Sequence, residues 1–168
     1  LEEIAAEGRR LGRRYLAVTD HSRARPRGLD PERLAEHAAA VRELDRRSGG
    51  KPHLLAGIEV DILPDGRLDL PEEDLSRLDL VVAAVHSHLA DPAERMTARV
   101  ERAIRSGAVH VLGHPSGRQI GTRDASAVDL ERVVAAAAEA GVALEVNAMP
   151  DRLDLTDRGC RLAKAAGV

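Results

Sequence analysis

A chain of 168 residues has the size of one ordinary domain and is long enough to bury a substantial apolar core. Hydrophobic residues make up 43% of it, yet Phe and Trp are absent and Tyr15 stands alone, so the core is aliphatic and single-stranded bases have no aromatic platform to stack on. A net charge of -3 excludes a broad cationic field, a single cysteine excludes an internal disulfide, and no apolar run approaches the roughly 20 residues that span a bilayer.

These features predict a protein of the reducing cytoplasm with no membrane partner. The basic residues are Arg except at Lys51 and Lys164, a pattern of codon usage first and of phosphate binding only second. Any nucleic-acid substrate would have to be held mainly by another domain.

Along the chain, short β-branched runs alternate with longer segments of helical spacing, the pattern of βαβ units in a parallel sheet. Leu1 to Gly12 reads as a helix with no capping residue before it, and Tyr15 to Thr19 as the first strand. Asp30-Pro31 opens a helix reaching about Arg47, followed by a strand from Leu54 to Val60 and a small excursion from Pro64 to Pro71 with a turn at Asp65-Gly66. A third strand covers Leu80 to Val85, and Asp91-Pro92 opens a helix to about Arg105. Val109 to Leu112 and Val142 to Val146 are the last strands, separated by a helix that Asp129 opens and Gly141 ends. Ala165-Ala166-Gly167-Val168 repeats the helix-to-strand pattern of Ala140-Gly141-Val142, so a further strand is expected beyond Val168. The expectation is an α/β fragment of about five parallel strands, too few to close a barrel of ordinary size.

Each strand ends in groups that can bind metal: Asp20 and His21, Glu59 and Asp61, His86, His114, and Glu145 with Asn147. In parallel β/α folds the C-terminal strand ends face one site, so residues distant in sequence converge there. A single histidine so placed usually only hydrogen-bonds a carbonyl, but four aligned groups reverse that reading, and His21, Glu59, His86 and His114 are the expected ligands. Imidazole with carboxylate suits Zn, Mn or Fe, and Glu59 can bridge two ions. Such a centre activates water for attack on phosphorus without a protein nucleophile, with Glu59 and His86 acting through the metals. No nucleophile elbow, phosphate loop or placed catalytic cysteine competes with this reading.

Asp20 is read as a carboxylate that supports the ring of His21 or packs beside it, and Arg118, four residues beyond His114, as either a clamp on substrate phosphate or an ordinary surface arginine. Asp61, Glu145 and Asn147 are equally compatible with ligand and structural roles. His88 lies past its strand, and His37, His53 and His110 are assigned to structure.

The runs Tyr-Leu-Ala-Val-Thr-Asp-His-Ser, Gly-Ile-Glu-Val-Asp-Ile-Leu, Leu-Gly-His-Pro-Ser-Gly-Arg and Pro-Asp-Arg-Leu-Asp-Leu resemble the PHP (polymerase and histidinol phosphatase) domain. They are most similar to the C-terminal PHP domain of bacterial and archaeal family X DNA polymerases. The resemblance implies a distorted seven-stranded β/α barrel with up to three divalent metals, Zn or Mn, held in part by His21, Glu59, His86 and His114. It also implies 3′ to 5′ exonuclease and related processing of DNA 3′ ends in repair, with a polymerase domain outside this chain holding the DNA. The family's H-x-H on its first strand and D-x-H on its last are not found here, which agrees with a partial domain missing its first and last strands. Two alternatives remain: a small-molecule phosphatase of the histidinol phosphatase type, and a non-catalytic structural module.

Overall fold

The alternation of aliphatic runs and capped helices becomes five strands and six helices in the computed structural model, which describes residues 1–168. In chain order these are α1 (Glu2–Arg10), β1 (Tyr15–His21), α2 (Pro31–Ser48), β2 (His53–Asp61), α3 (Glu72–Leu75), β3 (Leu80–Ala84), α4 (Ala93–Ile104), β4 (Val111–Leu112), α5 (Leu130–Ala140), β5 (Ala143–Leu144) and α6 (Asp157–Ala166). The strands form one parallel sheet in the order β1-β2-β3-β4-β5. Spatial order follows chain order, so every crossover steps the same way, as in a β/α barrel rather than a doubly wound sheet. No helix is long and apolar enough to cross a membrane.

The fold divides into two compact units, Leu1–Glu59 with Leu70–Val81, and Val60–Asp69 with Val82–Val168. In the first unit, α2 begins where Asp30 accepts the Arg33 N–H at 2.9 Å and Pro31 supplies the first helical turn, and it ends at Gly49 in the left-handed region. Leu34, Ala38, Val41 and Leu44 recur at helical spacing and form its buried stripe. Leu54, Ala56 and Ile58 alternate along β2 and are buried too. The parallel register runs from Tyr15 opposite His53 to His21 opposite Glu59. Gly57 permits it, because a Cβ there would lie 2.8 Å from Thr19 Cγ2 and 3.0 Å from the Leu80 carbonyl oxygen. The short α3, Glu72–Leu75, was not expected from the sequence, since one turn carries too few residues to show a helical period.

In the second unit, α4 turns Met96, Val100, Ala103 and Ile104 inward, and α5 does the same with Val133, Val134, Ala136 and Ala137. Arg132 on α5 reaches Glu94 at 2.7 Å and Glu101 at 2.6 Å on α4, tying the two helices at their exposed margin. Asp129 caps α5 through the backbone N–H groups of Glu131 and Arg132, and Thr156 caps α6 through Gly159 at 3.3 Å. The last two strands are shorter than the apolar runs predict, Val111–Leu112 and Ala143–Leu144. Pairing stops early because the chain leaves the ladder: Asn147 exchanges backbone hydrogen bonds with Asp154, and Leu155 donates to the Glu145 carbonyl. Val142 and Val109 are buried beside the sheet without being paired in it.

Candidate metal centre

The polar residues at the strand ends are placed by the alternation and register just described. In the first unit, His21 is the last residue of β1 and lies directly opposite Glu59, with its Nδ1 3.8 Å from Glu59 Oε2. The imidazole side chain is 46% exposed and the carboxylate 25%, so both side chains reach solvent. Neighbouring residues on a strand face opposite ways, and Asp20 accordingly does not share this side. Its carboxylate stands 3.4 Å from His37 Nδ1, while His37 Nε2 stands 3.4 Å from the Val18 carbonyl oxygen. His37 thus has the structural placement expected of it, as does His53, whose Nδ1 is 3.0 Å from Asp45 Oδ2.

In the second unit, Asp61 ends β2 and His86 follows β3 by two residues. Asp61 Oδ1 lies 2.8 Å from His86 Nδ1, and both side chains are largely buried. A carboxylate at that distance favours the tautomer with hydrogen on Nδ1, which makes Nε2 the nitrogen with a lone pair for a metal. The Asp61 backbone N–H donates to Asp69 Oδ1 at 3.1 Å, and the Asp61 carbonyl accepts the Asp69 N–H at 3.1 Å. His114 follows β4 by two residues, and its ring meets that of His86 edge to face with centroids 5.1 Å apart. Its φ of 28° is in the region that side chains disfavour. That conformation is held by the Glu145 carboxylate, which accepts the His114 backbone N–H. Gly113 before it packs closely on β3, since a Cβ there would stand 3.0 Å from Val82 Cγ1 and the valine would have to give way.

Arg118 spends its guanidinium on the opposite loop, with Nε donating to the Arg152 carbonyl at 3.1 Å and Nη2 to that of Leu153. The same two loops are joined where Asp154, 1% exposed, accepts the Ser116 N–H at 3.0 Å. Asn147 donates to Glu145 at 3.4 Å and accepts from the Met149 N–H at 3.2 Å. His88, with φ of 54°, offers its carbonyl to Asp91 in the turn that precedes α4.

The side chains that could hold a metal ion are His21 and Glu59 in the first unit and Asp61, His86 and His114 in the second. The donor set fits divalent transition metals: three imidazoles and two carboxylates, with one imidazole oriented by a carboxylate in the manner of metal-binding histidines. The sequence leaves Asp61 open between ligand and structural roles, and the structure adds its contact with His86 Nδ1 at 2.8 Å.

No family model matches the chain. Over its full length it is 35% identical, across 170 aligned residues, to the DNA polymerase/3'-5' exonuclease PolX of Bacillus subtilis strain 168, of which it covers 30%. Across 149 residues, 86% of the chain, it is 34% identical to a probable phosphatase of Caldanaerobacter subterraneus subsp. tengcongensis and covers 54% of that protein. A probable phosphatase of Shewanella oneidensis is 35% identical across 150 residues, 88% of this chain and 55% of the relative. The chain therefore spans about a third to about a half of the length of these curated relatives.

Proposed function

We propose that this chain, which resembles the PHP domain of family X DNA polymerases over its full length, is a metal-dependent phosphoesterase that processes DNA 3′ ends. The observation that carries the reading is the run of imidazole and carboxylate donors at successive parallel strand ends: His21, Glu59, Asp61, His86 and His114. His21, Glu59, His86 and His114 would hold Zn or Mn ions, with Asp61 orienting His86 or joining it as a ligand. When bound, such ions act as Lewis acids on phosphoryl oxygens and make water a competent nucleophile near neutral pH. The protein's own part is to fix those donors, to keep His86 in one tautomer through Asp61, and to hold the His114 loop on Glu145. Arg118 would bind substrate phosphate through a guanidinium already braced on the loop of Arg152 and Leu153. With a net charge of -3, the chain is poorly suited to hold DNA by itself, so a polymerase domain outside it would supply most of the grip. The domain is read as partial, its first and last barrel strands lying outside these residues.

A second reading, a phosphatase of small esters such as histidinol phosphate, draws support from the relatives named as probable phosphatases. The two are separated by offering the full-length protein, with Mn, a 3′-labelled oligonucleotide and histidinol phosphate. Release of 3′ nucleotides that falls to background in Glu59→Ala supports the nuclease. Turnover of the small ester alone supports the phosphatase, and the absence of metal-dependent turnover of either would leave a structural module.

A further inference from the structure

Arg99 on α4 is 2% exposed, although it stands within the buried stripe that Met96, Val100 and Ala103 form. Burial lowers its pKa, opposed by the charges of Asp91 and Asp61. An aliphatic residue there would fill the stripe without the desolvation of a charge, and such replacements are often neutral or favourable for stability. Stability alone does not account for an arginine here.

The guanidinium bonds explain its placement. Nε donates to the Leu63 carbonyl at 2.9 Å, Nη2 to the Ile62 carbonyl and to Ser87 Oγ at 3.3 Å, and Nη1 to the Ser87 carbonyl at 2.8 Å. Ile62 follows Asp61 and Ser87 follows His86, so one planar fork grips the chain next to each member of the pair that meets at 2.8 Å. We propose that Arg99 is a positioning residue that straps the segment after β2 to the segment after β3 and so sets the Asp61–His86 contact. Its consequence for metal affinity rests on the reading of that pair as part of a metal centre. A lysine cannot replace it fully, since one ammonium cannot reach both segments with the geometry of a fork.

The test uses the full-length protein with Arg99→Met and Arg99→Lys, each compared with the wild type in three readouts. These are thermal unfolding, Mn titration by calorimetry, and the tautomer of His86 by nitrogen NMR of labelled histidine. Arg99→Met is expected to remain folded, to lose about tenfold or more in Mn affinity, and to show His86 as a mixture of tautomers; Arg99→Lys is expected to recover part of both. A Met variant with the wild-type affinity and a single Nδ1–H tautomer overturns the proposal, whatever its melting temperature. Should Arg99→Met fail to fold, Arg99→Lys decides, and full wild-type behaviour in it overturns the fork. A wild type that binds no Mn, together with a variant whose His86 loses its tautomer, supports the strap and removes the metal reading instead.

Discussion

At His86, Asp61 Oδ1 at 2.8 Å from Nδ1 favours one tautomer of the ring. Asp61→Asn removes the charge while keeping the size, and is expected to weaken Mn binding by about 10- to 100-fold in a calorimetric titration. Affinity unchanged within about twofold would leave Asp61 a packing residue. Arg118 is expected to act on substrate and not on the metals, so Arg118→Ala should raise KM for a phosphoester more than it lowers kcat, with Mn affinity held. A matching loss of Mn affinity would place Arg118 in the scaffold of the His114 loop, to which its bonds at the Arg152 and Leu153 carbonyls also tie it. His114 is held in a disfavoured conformation: its φ of 28° persists because the Glu145 carboxylate accepts its backbone N–H.

The elements contribute unequally to holding these residues. Strand β2 does most, since it carries Glu59 and Asp61 two residues apart and lies between two neighbours in the sheet order. Helix α2 stabilises its own unit through a stripe led by Leu34, 2% exposed. Leu34→Ala is expected to cost about 2–5 kcal/mol in denaturant unfolding, as for other large-to-small core changes. Asp30→Ala removes only the cap bond to Arg33 and should cost about 1 kcal/mol in the same measurement. Equal costs for the two would mean that α2 is held by its end rather than its face. The pair of Arg132 with the exposed Glu94 is expected to matter less than either, because solvent screens it.

For the molecule as a whole, ions bound to the native state alone add stability by mass action, about 2.7 kcal/mol at a concentration 100 times Kd. Chelation of the full-length protein should therefore lower Tm by about 5–10 °C, and added Mn should restore it. An unchanged Tm with full chelation would mean that no tightly held ion contributes. At the sheet edge, β1 leaves Tyr15 68% exposed and pairs only with β2. A polypeptide of residues 1–168 alone is expected to associate through that edge, seen as a rising mass in light scattering with concentration. A monodisperse monomer would refute it.

The parts of this protein legible in its sequence are those fixed by local chemistry. Asp30-Pro31, Asp129 and the glycines at 49 and 141 set helix ends through caps that act within a few residues, and the structure places those ends within one or two residues of the expectation. The chain order of the strands and the imidazole and carboxylate groups at their ends are equally visible, because both follow from the apolar period. What the sequence left open depends on residues meeting across the sheet. Asp20 adjoins His21 in the chain yet faces His37, whereas Glu59, 38 positions away, is brought opposite His21 by the register, since strand neighbours point apart and register partners do not. Arg99 reads as one surface arginine among many until the fold buries it against Ile62, Leu63 and Ser87. Local periodicity determines which faces exist, and only tertiary packing decides which charged groups those faces bring together.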